Sequence, residues 1–237
     1  MKTYLSGLTT MVLAGSMQFV SAGEISGKVT LKGTPKPEVD IPLTPSCGKL
    51  NPNKATTRHY VVGKDGGLAN VFVYVKKDGL KAPPAGEAPM LDQVGCMYEP
   101  YVMGVVTGQK LKIRNSDPEL HNVHATPDPK SGNKEFNFGQ PIKGQVNEKG
   151  FDNAEVLVRM KCDVHPWMFA YVGVLDHPYF AVTDKDGNFK ISGLPDGKYT
   201  VIAYHLKTHL KASPGVTKEV EVKGSATQDF TIDAPAQ

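Results

Sequence analysis

The chain has 237 residues, 40% of them hydrophobic and 22% charged, with 24 glycines and 18 prolines. These fractions fit one large or two small globular domains, and the excess of turn formers argues against helical bundles, coiled coils and collagen. A formal net charge of +3 with mixed signs is too weak to imply nucleic acid, and no stretch after the N-terminus approaches the ~20 apolar residues of a membrane span.

The first 22 residues read as an export signal. Lys2 is the only charge before Glu24, and the chain from Leu5 to Val20 is apolar or small. Ser6, Thr9, Thr10, Ser16 and Gln18 interrupt it, which argues against a membrane anchor. Val20-Ser21-Ala22 places small residues at the cleavage-determining positions, so cleavage is expected after Ala22. No Cys follows that point, against a lipoprotein anchor. The expected location is periplasmic or secreted, an oxidising compartment, with no integral membrane segment in the mature chain.

Beyond the signal, short β-branched or alternating segments recur between turn residues. Strands are predicted over 25–31, 69–75, 102–106, 110–114, 155–161, 171–175, 180–183, 189–191, 199–204, 219–222 and 229–232. Asp186-Gly187 and Asp196-Gly197 suit tight turns. Two segments, 81–89 and 130–150, are expected to be long loops. No helical stripe exceeds two turns, so an all-β fold of the sandwich or barrel type is expected.

The three cysteines are Cys47, Cys96 and Cys162. An odd count in an exported chain leaves one thiol over. The simplest partition pairs Cys47 with Cys96, two independent thiols being the alternative. Cys162 then stands free, buried and inert or bound to metal.

Its neighbours favour metal. Cys162-Asp163-Val164-His165-Pro166-Trp167-Met168 sets a thiolate, an imidazole and a thioether at C-x2-H-x2-M spacing, between two predicted strands. Soft sulfur beside imidazole suits copper, and two His, one Cys and a weak axial Met form the blue-copper donor set. The best second imidazole is His121, just past the strand at 110–114, so two loops at one end of a sandwich can bring four side chains together. Met is a poor zinc ligand, and a c-type haem would need a second Cys. His124, three residues on, should face away from His121 on a strand. His205 and His209, four apart, make a weaker metal pair, and His59 and His177 read as surface or turn residues.

Cys162-x-x-His165-Pro166-x-Met168, with Asn115 and Leu120-His121-Asn122-Val123-His124, resembles the ligand segments of cupredoxins, most closely the amicyanin type. The resemblance spans 107–175. It implies a Greek-key β-sandwich and one copper per chain, held by His121, Cys162, His165 and Met168. It implies that Asn122 ties the two ligand loops together. It also implies an exposed edge of His165 as the electron port, ringed by Pro166, Trp167 and Phe169, where redox proteins would dock. Pro166 stiffens the loop by fixing φ. One departure is Tyr101, where such a chain is expected to carry a His. The tail, 180–199, resembles the transthyretin-like carboxypeptidase regulatory domain, a small non-catalytic β-sandwich. The expected organisation is a signal at 1–22, a copper domain with an N-terminal extension at 23–176, and a transthyretin-like domain at 177–237.

The resulting expectation is an exported one-electron carrier with no catalytic residues. A copper-handling protein and a non-redox interaction module are the rivals.

Overall fold

The computed structural model describes residues 23–84, 86–208 and 214–235. The expected signal segment and His209 lie outside them. The fold is all-β. Seventeen strands are described, with one short helix: β1 (Gly23–Lys32), α1 (Pro45–Leu50), β2 (Phe72–Lys76), β3 (Met90–Val94), β4 (Met97–Glu99), β5 (Val102–Val106), β6 (Leu111–Asn115), β7 (His121–Thr126), β8 (Phe136–Gln140), β9 (Val146–Lys149), β10 (Glu155–Lys161), β11 (Phe169–Leu175), β12 (Phe180–Val182), β13 (Asn188–Leu194), β14 (Gly197–Tyr204), β15 (Val216–Val222), β16 (Ser225–Thr227) and β17 (Phe230–Asp233). Among the described residues, no helix is long and apolar enough to cross a membrane.

The strands form four sheets. Order β4-β3-β6-β9 faces order β5-β11-β10-β7-β8, with Leu91, Ile113, Val123, Met160 and Val172 buried among the side chains between them. Order β12-β2-β14-β15 faces a sheet in which β1 pairs with β13, β16 and β17, around Ile25, Val73, Val201 and Phe230. A third cluster, with Phe72, Tyr74, Tyr101, Tyr171 and Ile202, joins the two sandwiches. Two sheets are therefore inner layers. This explains why β2 and β11 read as continuous apolar runs, whereas β13 alternates.

The expected boundary at 176/177 groups β1 and β2 with the copper domain. In the structure both belong to the sheets of the C-terminal segment. β1 runs parallel to β17 with Val29 opposite Phe230, and β2 pairs with β14, Val75 opposite Val201. The chain enters through the second sandwich, builds the first, and returns. The stretch 130–150, expected as a loop, carries β8 and β9 as edge strands. Their buried contribution is small and one-sided, with Phe136 and Phe138 inward and polar residues outward. His177, expected at the surface or in a turn, lies in the bend between β11 and β12 but is 5% exposed; its ring stacks on Tyr179 and its Nδ1 accepts the Tyr179 N–H (3.2 Å).

The two sandwiches meet closely because of a glycine pair. Gly104 of β5 lies opposite Gly173 of β11. A Cβ on Gly104 would fall 2.2 Å from the Phe180 ring, and one on Gly173 2.3 Å from the fully buried Phe72 ring. Two aromatic rings thus seat directly on bare backbone. Overpacking such a contact costs about 1–3 kcal/mol. Gly173→Val is expected to lower the unfolding free energy from urea denaturation by that amount, while Gly139→Val, in open space on β8, should leave it nearly unchanged.

Candidate metal centre

The chain leaves β6 at Asn115 and re-enters a strand at His121, so the turn between them sets the first imidazole. Asn115 is fully buried and organises that turn. Its Nδ2 donates to the carbonyls of Glu119 (2.9 Å) and Gln140 (2.8 Å), and its Oδ1 accepts the Asp117 N–H (2.9 Å). β7 then alternates, with His121 and Val123 buried and Asn122 and His124 turned outward. His124 pairs with Asp163 and Glu135 on the outer face, away from His121.

The second loop joins β10 to β11. The Cys162 N–H donates to the Met168 carbonyl (3.0 Å) and the Met168 N–H to the His165 carbonyl (2.9 Å). These bonds close the loop on itself with Cys162, His165 and Met168 all buried and Pro166 exposed. Asn122 ties the two loops: its Oδ1 accepts the Asp163 N–H, and its own N–H points at Cys162 Sγ (3.4 Å). Tyr98 adds a further link, its hydroxyl donating to the Asn122 carbonyl (2.8 Å).

The loops bring three donor atoms together. His121 Nδ1 is 3.0 Å from His165 Nδ1, which is 3.7 Å from Cys162 Sγ, and all three residues offer ligand atoms within 4.8 Å of one another. Met168 is fully buried and shares their core. Sequence reasoning did not single out Asp117, which is 3% exposed. Its carboxylate accepts the backbone N–H groups of Gly95 and Cys96 (2.8 Å each) and His121 Nε2–H (2.9 Å). A carboxylate on Nε2 fixes the tautomer that turns the Nδ1 lone pair inward, the usual partner arrangement of a metal-binding His. The Asn-Ser-Asp-Pro run before His121 is a turn signature that could have flagged it.

The electrostatics suit a cation. Burial opposes charge on His121, yet Asp117 and the Cys162 sulfur raise its pKa to about 9. Burial and the charge of His121 lower that of His165. Burial also pushes the Cys162 thiol up, but hydrogen bonds from His121 and from backbone N–H groups more than reverse this, and its net shift is downward. The two inward Nδ1 atoms and the Cys162 sulfur face one another across the short gap that a metal ion would bridge. Two imidazoles, a thiolate and a nearby thioether fit copper by donor softness.

One expectation fails. His165 does not present an exposed edge: it is 5% exposed. The segment leading from β1 to β2 lies over it, and Cys47 of α1 forms a disulfide with Cys96 that places Cys47 Sγ 3.5 Å from His165 Nε2. Trp167 is tied to the same place, its indole N–H donating to the Cys96 carbonyl (3.1 Å) and its ring 5.3 Å from that of His165. Trp167 and Phe169 line a groove with Arg58, His59 and Tyr101. Tyr101, where a His was expected, packs between the sandwiches under the Arg58 guanidinium (4.4 Å). His205 is buried against Tyr60 and Thr208, far from a ligand role in this site.

No protein-family profile and no curated protein matches the chain. Solved structures similar to parts of it include a copper-containing nitrite reductase from Thermus scotoductus, with 18% identity over 42% of this chain and 25% of that one (TM-score 0.33). The chain thus spans a quarter of that enzyme's length. A purple cupredoxin from Nitrosopumilus maritimus is 21% identical over 37% of this chain and 99% of its own (TM-score 0.30). A mutant of amicyanin in its Cu(I) form is 23% identical over 43% of this chain and 97% of its own (TM-score 0.32).

Replacing Asp117 tests its role. Asp117→Asn keeps the shape but removes the charge and accepts fewer N–H groups. Copper affinity is expected to fall 10- to 100-fold, read by competition with a chelator, and stability by about 1–3 kcal/mol. The pKa of Asp117 is lowered from 3.8: burial opposes this, but its hydrogen bonds prevail. A depressed carboxylate stabilises the fold above its unfolded value and loses that contribution as pH falls through the folded one. The wild-type urea midpoint should therefore drop below about pH 4 more steeply than that of Asp117→Asn.

Proposed function

We propose that this chain is an exported type 1 copper protein that carries one electron at a time between redox partners. The observation that supports it most is the convergence of His121 Nδ1, Cys162 Sγ and His165 Nδ1 in the buried interior. Cys162 and the two imidazoles would form the trigonal set, with Met168 as the weak axial donor. Bound copper would supply the one-electron change. The protein would keep the donors still: Asp117 orients His121, the disulfide and Trp167 back His165, and the 162–168 loop is closed by its own backbone bonds. A cage that does not rearrange between oxidation states favours rapid transfer, since no donor has to move.

Partners would approach by a route other than the His165 edge. Leu120 and Val164, each next in sequence to a histidine donor, are 50% and 47% exposed. We place the docking contact on these apolar side chains rather than on the covered ring.

Copper(II) titration of the protein, followed by visible absorption, tests this reading. One equivalent should produce an intense red-region thiolate-to-copper band, bleached by a mild reductant and lost in Cys162→Ser. Binding without that band, or a band that survives in a folded Cys162→Ser protein, would overturn it.

A further inference from the structure

His165 separates two groups of sulfur donors. Its Nδ1 faces His121 and Cys162, while its Nε2 faces Cys47 Sγ at 3.5 Å. Cys47, Cys96 and His165 offer ligand atoms within 4.8 Å of one another, and all three residues are buried. The S–S bond is what keeps the two sulfurs from acting as thiolates.

Both cysteines are also placed without that bond. On the Cys96 side, the backbone N–H donates to Asp117 (2.8 Å) and the carbonyl accepts the Trp167 indole N–H (3.1 Å). On the Cys47 side, Thr44 caps α1 through the Cys47 N–H (3.4 Å), and Asn51, just past the helix, donates to the Gly95 carbonyl (3.2 Å). Opening the disulfide therefore leaves two sulfurs and a ring nitrogen facing one small volume.

We propose that the Cys47–Cys96 pair, once reduced, forms with His165 Nε2 an outer site for monovalent copper. The reductant is a dithiol. One of its thiolates attacks a sulfur of the pair to give a mixed disulfide, and its second thiol resolves this. The dithiol becomes a disulfide, and the Cys47–Cys96 pair gains two electrons and two protons. The cuprous ion then displaces both thiol protons to water and binds the two thiolates, the form in which Cys ligates metal. Thiolates select Cu(I) over harder ions. A neutral imidazole has one lone pair, so His165 serves the inner or the outer donors at one time. Copper at the two sites is successive, and the outer site is a station from which copper passes inward once the disulfide is opened. The outer donors do not include Cys162, so this inference and the proposed function can fail separately.

The test uses the Cys162→Ser protein, which lacks the inner thiolate. One sample is held reduced with a phosphine without oxygen; the other is oxidised. Thiol titration confirms both states, and far-ultraviolet circular dichroism confirms the fold. Cu(I) is presented as its complex with a chromophoric chelator. Reduced protein should withdraw one Cu(I) per chain with at least tenfold higher affinity than oxidised protein. His165→Ala and Cys47→Ser/Cys96→Ser in the same background should lose that gain. Equal affinity of the reduced and oxidised forms would overturn the proposal, as would an undiminished gain in His165→Ala. The first comparison needs no cysteine substitution at 47 or 96, so a variant that fails to fold does not decide it.

Discussion

The Asp117 carboxylate is where three separate pieces of chain meet. It accepts two N–H groups from the β3–β4 turn and one from the His121 ring, and Asn115 holds its own backbone. A buried carboxylate costs several kcal/mol unless it is paired and hydrogen-bonded. Asp117 is fully satisfied only when the turn carrying Cys96, the turn before β7 and the first imidazole are all in place. The same turn carries the disulfide that backs His165. One buried charge therefore couples the orientation of one histidine to the cover over the other.

In this four-layer architecture the site lies in the first sandwich, under the segment that leads from β1 to β2. The inner sheets are joined through aromatic rings seated on Gly104 and Gly173, and their burial on both faces supplies stability without using the ligand loops. A fully buried large apolar side chain contributes roughly 1.5–3 kcal/mol, and the shared cluster holds several. The ligand loop adds to the first sandwich's own core, where Cys162 and Met168 are buried and Trp167 packs against them.

Much of this was legible locally. β5, β10 and β11 follow from β-branched runs, and the odd spacing of His121 and His124 predicts opposite faces, although the residues of β7 themselves read as a loop. The C-x2-H-x2-M spacing drew attention to three of the four proposed donors. What local pattern could not supply is partnership over distance. β1 finds β17 some two hundred residues away, and nothing in either strand names the other. β8 and β9 are polar edge strands whose composition resembles a loop. Above all, the covering of His165 depends on a disulfide between residues 49 apart. Sequence suggested that pairing by arithmetic, but not that it would lie on a ligand ring. The exposed port was borrowed from a resemblance that extends over 107–175 and does not include the covering segment.

A covered histidine changes how such a site would work. Access to the copper would be governed by the protein's own cover, and exchange with partners would pass beside it. The proposed function turns on a single copper ion between His121, Cys162 and His165. Anomalous diffraction at the copper absorption edge, on crystals of the copper-loaded protein, tests this most directly. One strong peak is expected within bonding distance of His121 Nδ1, Cys162 Sγ and His165 Nδ1. A strong peak elsewhere, such as between His124, Glu135 and Asp163, with none between those three donors would rule it out.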